Sequence, residues 1–271
     1  MPEIELKKYS PINPVLKKLI KYYWIIKSIN EVDIHGKLVP MNNIDLIINL
    51  SSPIKYRNET IEVTITKSHF NGIQNKYRII HQKGILDIVG VSFYPTGFYP
   101  VVKVPLSEFK NNIVLIDDVL HGFEKNVEVI AGIESDHKRI SKIEEILMKI
   151  VDPELLPERN YDIILNDFLL NEHFININSY CKINGINQKT LERFFNKRIG
   201  TTPKAFLMTN KFQKTIKSLK TGNFDSMTQI GYEFDYYDQT HFINSFKSFM
   251  GTTPSKQLKE NDLIIDMLSG R

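Results

Sequence analysis

The sequence predicts an α+β fold: an N-terminal antiparallel β-barrel with added helices, then an all-α half built from two helix-turn-helix units. Three observations carry this. Short β-branched runs alternate with turn-rich pieces up to about residue 104. The stretch Phe195-Asn-Lys-Arg-Ile-Gly-Thr-Thr-Pro203 returns as Phe246-Lys-Ser-Phe-Met-Gly-Thr-Thr-Pro254, the two glycines lying 251 − 200 = 51 residues apart. Between the two patterns, Val151-Asp-Pro-Glu-Leu-Leu-Pro157 reads as a linker, and two domains, 1–152 and 153–271, suit a chain of 271 residues. The repeat weighs more than any single motif, because chance rarely writes the same punctuation twice.

In the first domain, Tyr22–Lys27, Ile44–Leu50, Ile61–Thr66, Tyr77–His81, Ile85–Phe93 and Tyr99–Val104 read as strands. Ser51-Ser-Pro53, Asn71-Gly72, Lys83-Gly84 and Pro95-Thr-Gly97 supply the turns. Short strands at regular spacing suggest an antiparallel barrel or jelly roll. After Pro105 the pattern turns helical. Asp117–Phe123 reads as a short helix, and Ser135–Ile150 as a longer one with Ile140, Ile143, Ile146, Leu147 and Ile150 on its apolar side.

In the second domain the helix-turn-helix units span about 175–200 and 226–251. Ile177–Ile183 reads as a short helix, Asn184–Asn187 as a turn ending in a cap, and Gln188–Ile199 as the second helix. In the second copy Met227–Phe234 reads as the short helix, Asp235–Asp238 as the turn and Gln239–Met250 as the second helix. Gly200 and Gly251 suit the left-handed position past a helix end. Thr202 and Thr253 suit caps, and Pro203 and Pro254 a first turn. Phe206–Leu219 reads as one long helix between the units. A rigid spacer of this kind fixes the distance between two reading helices, so one chain can engage successive major-groove segments about 34 Å apart.

Leu191-Glu-Arg193-Phe-Phe195, Gly200-Thr-Thr-Pro203, Met227-Thr-Gln-Ile230-Gly231, Tyr236-Tyr-Asp238-Gln239-Thr-His-Phe242, Phe246-Lys247 and Gly251-Thr-Thr-Pro254 resemble the AraC/XylS transcription regulators over about residues 157–262. Cys181 and Gly231 stand where that family usually has alanine, Asp235 where it has a turn glycine, and Asn244 where many members carry arginine. The resemblance implies a sequence-specific DNA-binding transcription regulator, an activator that answers an unidentified small molecule. Double-stranded DNA is the implied partner; RNA polymerase, an effector and a second copy of the chain are further ones. Tyr23-Trp24, Val39-Pro40, Asp45-Leu-Ile47, Asn49-Leu50, Gly90-Val-Ser-Phe-Tyr-Pro-Thr-Gly97 and Val104-Pro-Leu-Ser-Glu-Phe109 resemble the cupin-like domain found ahead of some AraC-type domains. That implies sensing or dimerisation.

Charge and spacing single out a DNA-facing surface. From Lys182 to Lys220 there are ten Lys/Arg and one acid, Glu192, a local net of +9 in a chain of net +4. Such a patch attracts phosphate. Lys189, Arg193 and Asn196 recur at i, i+4, i+7 opposite Leu191 and Phe195; Gln239, Thr240, Asn244 and Lys247 share a face opposite Phe242 and Phe246. Arg pairs with guanine, and Asn or Gln with adenine. By resemblance the base-reading positions fall on Lys189, Glu192 and Arg193, and on Gln239, Thr240 and Asn244, with Asn196 added from its spacing. Lys197, Arg198, Lys204 and Lys247 are expected to hold phosphate, which positions without specifying. Ser226–Gly251 carries Lys247 against Glu233, Asp235 and Asp238, a net of −2, so the second unit is expected to add less affinity than the first.

No catalytic residue, metal site or cofactor is expected, and the chain is read as a non-enzyme. The seven histidines, at 35, 69, 81, 121, 137, 173 and 241, form neither His-x-His nor His-x-x-x-His. No phosphate-binding Gly loop, Gly-x-Ser-x-Gly or Cys-x-x-Cys occurs. The rival reading is a cupin-type enzyme or metal-binding domain fused to a nucleic-acid module, which needs a ligand cluster inside the barrel. Trp24, Tyr94, Phe98 and Tyr99 either line a small-molecule cavity or fill the barrel core. The single cysteine, Cys181, excludes an internal disulfide and suits a reducing cytoplasm. No apolar run of 18 residues occurs, so no membrane span is expected.

Overall fold

Alternation sets the strands of the first domain. In Ile54-Lys-Tyr-Arg57, Ile54 and Tyr56 are buried and Lys55 and Arg57 exposed, as a half-solvated strand requires. In Asp87–Phe93 every residue after Asp87 is buried, which marks a central strand. The computed structural model describes residues 4–157, 159–170, 175–221, 229–231, 234 and 236–258. Its strands are β1 (Ile4–Tyr9), β2 (Ile20–Ser28), β3 (Val32–Leu38), β4 (Asp45–Asn49), β5 (Ile54–Arg57), β6 (Glu62–Ile65), β7 (His69–Asn71), β8 (Arg78–Gly84), β9 (Asp87–Phe93) and β10 (Ile113–Leu115).

They form two antiparallel sheets, one of six strands in the order β1-β2-β9-β4-β7-β10 and one of four in the order β3-β8-β5-β6. Ile47 and Ile88 of the first meet Ile54 and Tyr56 of the second in a shared apolar cluster. The fold class is the α+β one expected, but the sheets remain separate and the barrel does not close. Helix Asp136–Ile150 packs Ile140, Ile143 and Leu147 on the six-stranded sheet. Its buried Arg139 donates to both carboxylate oxygens of Asp87, at 2.6 and 2.9 Å, so the buried cation is paired.

The differences from the sequence reading have local causes. Tyr99–Val104 is no strand: Tyr99–Val102 is a buried helical turn with Pro100 inside it. A short apolar run fits either element, and proline lacks the N–H a central strand needs while suiting a helix start. Asp117–Phe123 contains only a 3-10 turn, Ile116–Asp118, and Lys125–Ala131 is an additional helix. β1, β3 and β10 are edge strands, whose charged or short sequences lack the apolar signal of a central strand.

The helical half follows its expected punctuation. Ile177–Ile183 and Gln188–Arg198 form the first pair, and Asn187 accepts from the Thr190 N–H as the cap. Thr202 Oγ1 accepts from Ala205 N at 3.2 Å and starts the helix Pro203–Thr221. Asp238 caps Gln239–Met250 by accepting from His241 N at 2.7 Å. The Thr253 side chain makes no cap bond, though Pro254 opens the last turn, Pro254–Gln257. The short helix expected over Met227–Phe234 lies partly outside the described residues; 229–231 are helical. An unanticipated helix, Arg159–Leu170, adds Leu165 and Phe168 to the first unit's core. No described helix is long and apolar enough to cross a membrane.

Helix Pro203–Thr221 joins two cores. Phe206 and Leu207 pack with Leu191, Phe194 and Phe195. Phe212, Ile216 and Leu219 pack with Phe242, Phe246 and Met250. Both units also touch the sheet domain. Gly200, at φ 92°, sits so close to the Leu106 carbonyl that a Cβ would stand 2.8 Å from its oxygen. Gly251, at φ 75°, faces the Tyr77 ring, where a Cβ would come within 2.2 Å.

Gly185 provides a control, because it is also left-handed, at φ 64°, with nothing within 4 Å of an added Cβ. Gly185→Ala is expected to cost the conformational penalty alone, about 1–2 kcal/mol. Gly200→Ala is expected to cost about 1–3 kcal/mol more, because the Leu106 backbone must also give way. Urea unfolding of the full chain compares the two; equal losses would show that the Leu106 segment yields freely.

Candidate nucleic-acid interface

Helix Gln188–Arg198 presents Leu191, Phe194 and Phe195 to the core and turns its opposite side to solvent. Lys189, Arg193 and Lys197 are exposed there, as is Lys204 at the next helix start. Glu192 and Asn196 are half-buried. Glu192 accepts from Gln188 Nε2 at 3.0 Å, and Asn196 Nδ2 donates to the Glu192 carbonyl at 2.9 Å. So Lys189 and Arg193 project freely, while Glu192 and Asn196 are held by their own helix. On Gln239–Met250, the side chains of Gln239, Thr240, Asn244 and Lys247 are all exposed, opposite buried Phe242 and Phe246. Both predicted faces therefore exist as solvent-facing helix surfaces.

Arg198 departs from its expected role. Its guanidinium lies 4.6 Å from the Tyr99 ring centroid and donates to the Leu155 carbonyl. One turn past Phe194 the helix reaches the sheet domain, so this charge makes an interdomain cation–π contact. Lys197 Nζ stands 5.6 Å over the same ring from an exposed position. Lys211, another of the ten charges, sits 3.9 Å over the Tyr236 ring of the second unit. Part of the +9 cluster thus holds the fold together.

Between the two sheets lies a cavity of about 170 Å³. Ile26, Ile34, Leu38, Ile47, Ile54, Ile80 and Ile88 give it apolar walls, with Trp24 and Tyr56. Of the four aromatics singled out in the sequence, the structure brings Trp24 to this cavity. Phe98 is fully buried against Phe70 and Phe93, Tyr99 lies under Lys197 and Arg198, and Tyr94 is exposed. The segment after Pro95 turns into a helix beneath the sheet, which carries those rings away from the space between the sheets.

The polar groups on the wall are mostly satisfied. Asp45 accepts from Trp24 Nε1 at 3.0 Å, Asn43 Nδ2 at 2.8 Å and Ser92 Oγ at 2.8 Å. Burial pushes its carboxyl above the usual value, and those three bonds oppose the shift. Behind the wall, His69 Nδ1 donates to the Lys67 carbonyl at 2.9 Å, so Nε2 accepts from Tyr56 Oη at 2.6 Å. Burial lowers the His69 pKa to about 4 and keeps the ring neutral. Asn71 Oδ1 is buried without a hydrogen-bond partner among the described residues, and Asn71 lines the cavity.

The connection from β3 to β4 touches both the cavity and the helices. Val39, Met41 and Asn43 line the cavity. Asn42 Nδ2 donates to the Phe206 carbonyl at 2.9 Å, and Gln213 Nε2 donates to the Pro40 carbonyl. Val39 also packs into the second unit's core. Asn42 escaped sequence reading because a single loop asparagine carries neither periodicity nor motif.

Comparison with known proteins adds two domain assignments. Residues 7–115 match the family described as Domain of unknown function (DUF6597), and residues 180–260 match one described as Helix-turn-helix domain. No curated protein matches the chain in sequence. Among solved structures it is similar to ToxT from Vibrio cholerae, at 12% identity over 95% of this chain and 97% of that one, with a TM-score of 0.46. An unsaturated fatty acid-bound ToxT from Vibrio cholerae gives 13%, 86%, 96% and 0.42 for the same measures. The AraC-like transcriptional activator CuxR gives 9%, 79%, 87% and 0.25. At these scores the family match, not the structural likeness, carries the assignment. The chain therefore bears a helix-turn-helix domain over residues 180–260, behind an N-terminal domain of unknown function, and the helix-turn-helix domain implies DNA binding.

Proposed function

We propose that this regulator reads two major-groove segments with the helices Gln188–Arg198 and Gln239–Met250, and that a mainly apolar small molecule held between its sheets governs the reading. The observation that carries the first part is the pair of capped, solvent-facing helices locked onto one shared helix. Lys189 and Arg193, then Gln239, Thr240 and Asn244, are the proposed base readers. Glu192 and Asn196 stand beside them in hydrogen bonds that fix the local surface. Lys197, Lys204 and Lys247 are the proposed phosphate contacts.

Support for the second part is the cavity itself. Its walls are branched aliphatic and aromatic, which favours an apolar ligand. Asn71 Oδ1 provides an acceptor without a donor, a cost of about 1–3 kcal/mol that a ligand hydroxyl or amide removes. The segment from Val39 to Asn43 links ligand to DNA. A molecule that displaces Val39 or Met41 acts on the bonds from Asn42 and Gln213 to the opposite domain. The exposed cluster Asp33, His35 and His81 lies outside this cavity, so it does not supply the interior ligand set that a cupin-type enzyme would need.

Arg193→Ala is expected to weaken specific binding by about 1–3 kcal/mol and to relax preference at one base pair. Lys197→Ala is expected to weaken all sequences alike and to flatten the salt slope. Binding-site selection with each variant measures both; equal, sequence-independent losses would refute base reading by Arg193.

The second helix is expected to matter less. Arg193→Ala should cost more than Gln239→Ala/Asn244→Ala on one operator, because the second unit has little positive charge to hold phosphate. Fluorescence anisotropy at low and moderate salt ranks them, and the reverse order at both salts would overturn the ranking.

For the cavity, Ile80→Trp fills the space while leaving the DNA-facing helices untouched. Native mass spectrometry of the purified chain is expected to detect a co-purifying apolar molecule that this variant loses. Retention of the same molecule at the same occupancy by Ile80→Trp would place it elsewhere.

A further inference from the structure

We propose that Asp33, His35 and His81 form a surface site for one divalent transition-metal ion of the zinc class. Asp33 and His35 are two residues apart on β3 and share a face; the register with β8 sets His81 directly opposite His35. The two imidazoles stack with centroids 4.0 Å apart and planes within 9°. Both Nε2 atoms converge on Asp33 Oδ1, His81 at 2.8 Å and His35 at 3.1 Å. All three donor atoms lie within 4.8 Å of one another.

A tetrahedral zinc ion with bonds of about 2.0–2.2 Å holds its ligand atoms roughly 3.3–3.5 Å apart. The 3.1 Å edge from His35 is thus within a few tenths of an ångström of what the ion requires, and the 2.8 Å edge from His81 must open by about 0.5–0.7 Å. Two nitrogens and one carboxylate oxygen suit zinc, nickel or copper over magnesium or calcium. Ile34, Ile80 and Gln82 on the same two strands line the interior cavity, so by alternation the triad points to solvent. A fourth position is then left to water or to a donor from another molecule.

The protonation states fit. The His81 hydrogen bond holds the Asp33 carboxyl below its usual value, with the charges of His81, His35 and Lys83 adding, so it is a carboxylate at neutral pH. Each ring binds the ion through a neutral Nε2, its proton moved to Nδ1; a ring that starts as imidazolium releases one proton to solvent. Lys83 lies opposite Asp33 in register and Lys55 opposite His81. These cations oppose a dication and weaken its binding. Binding ties the edge strand β3 to β8 by a link that the backbone ladder alone does not provide.

Isothermal titration of the full chain with zinc chloride at neutral pH tests this. One ion per chain is expected. His35→Ala/His81→Ala and, separately, Asp33→Asn are each expected to weaken binding at least tenfold, with far-UV circular dichroism unchanged because all three side chains reach solvent. The absence of saturable binding up to millimolar zinc would overturn the site. So would a bound ion whose affinity is unchanged in the double histidine variant, since that ion would sit on other ligands.

Discussion

The helix Pro203–Thr221 carries two cores along one rod, and the geometry of the DNA-facing half rests on it. Phe206 and Leu207 belong to the first unit; Phe212, Ile216 and Leu219 belong to the second. The rings of Phe195 and Phe206 meet edge to face at 5.4 Å, and those of Phe212 and Phe249 stack at 4.7 Å. Each contact fixes one reading helix relative to the same axis. Neither unit can rotate without opening its own aromatic cluster, so their relative orientation is a property of this helix.

Among the described residues, the sheet domain meets that rod through the polar bonds of Asn42 and Gln213. Asn42 and Pro40 hold it from one side, while Leu155 and Tyr99 hold the end of the first reading helix through Arg198. A sparse, directional contact of this kind is easily biased, because each lost bond is a sizeable part of the whole. The cavity lies directly behind it, lined by residues of the same β3–β4 connection. The cavity and the helical half are therefore adjacent in space although far apart in sequence.

How much of this was legible in the sequence follows from the range of each interaction. The cap at Asn187 and the glycines at 200 and 251 were legible, since backbone groups a few positions away set them, whereas Asp238 caps a helix it was read only as preceding and Thr253 makes no cap bond. The buried faces were legible from period alone. The edge strands β1 and β3 were not, because their identity comes from pairing with β2 and β8 and not from apolar content. The inward turn of Arg198 was equally hidden: a lysine- and arginine-rich helix looks the same whether a residue faces phosphate or Tyr99. The meeting of His35 with His81 depends on strand register, which no spacing along the chain reveals.

The two repeat glycines have a further consequence for how such a protein can change over generations. Each ends a helix, and each also leaves the gap into which the sheet domain fits, Leu106 at Gly200 and Tyr77 at Gly251. One missing methyl serves a local turn and a distant surface at once. A mutation that altered the seating of the domains at these points would damage the helix end as well. Variation in domain seating must therefore come from the partners, Leu106 and Tyr77, while the repeated signature stays fixed. Duplication of the helical unit would have copied the socket together with the fold, so that a second docking point required no separate invention.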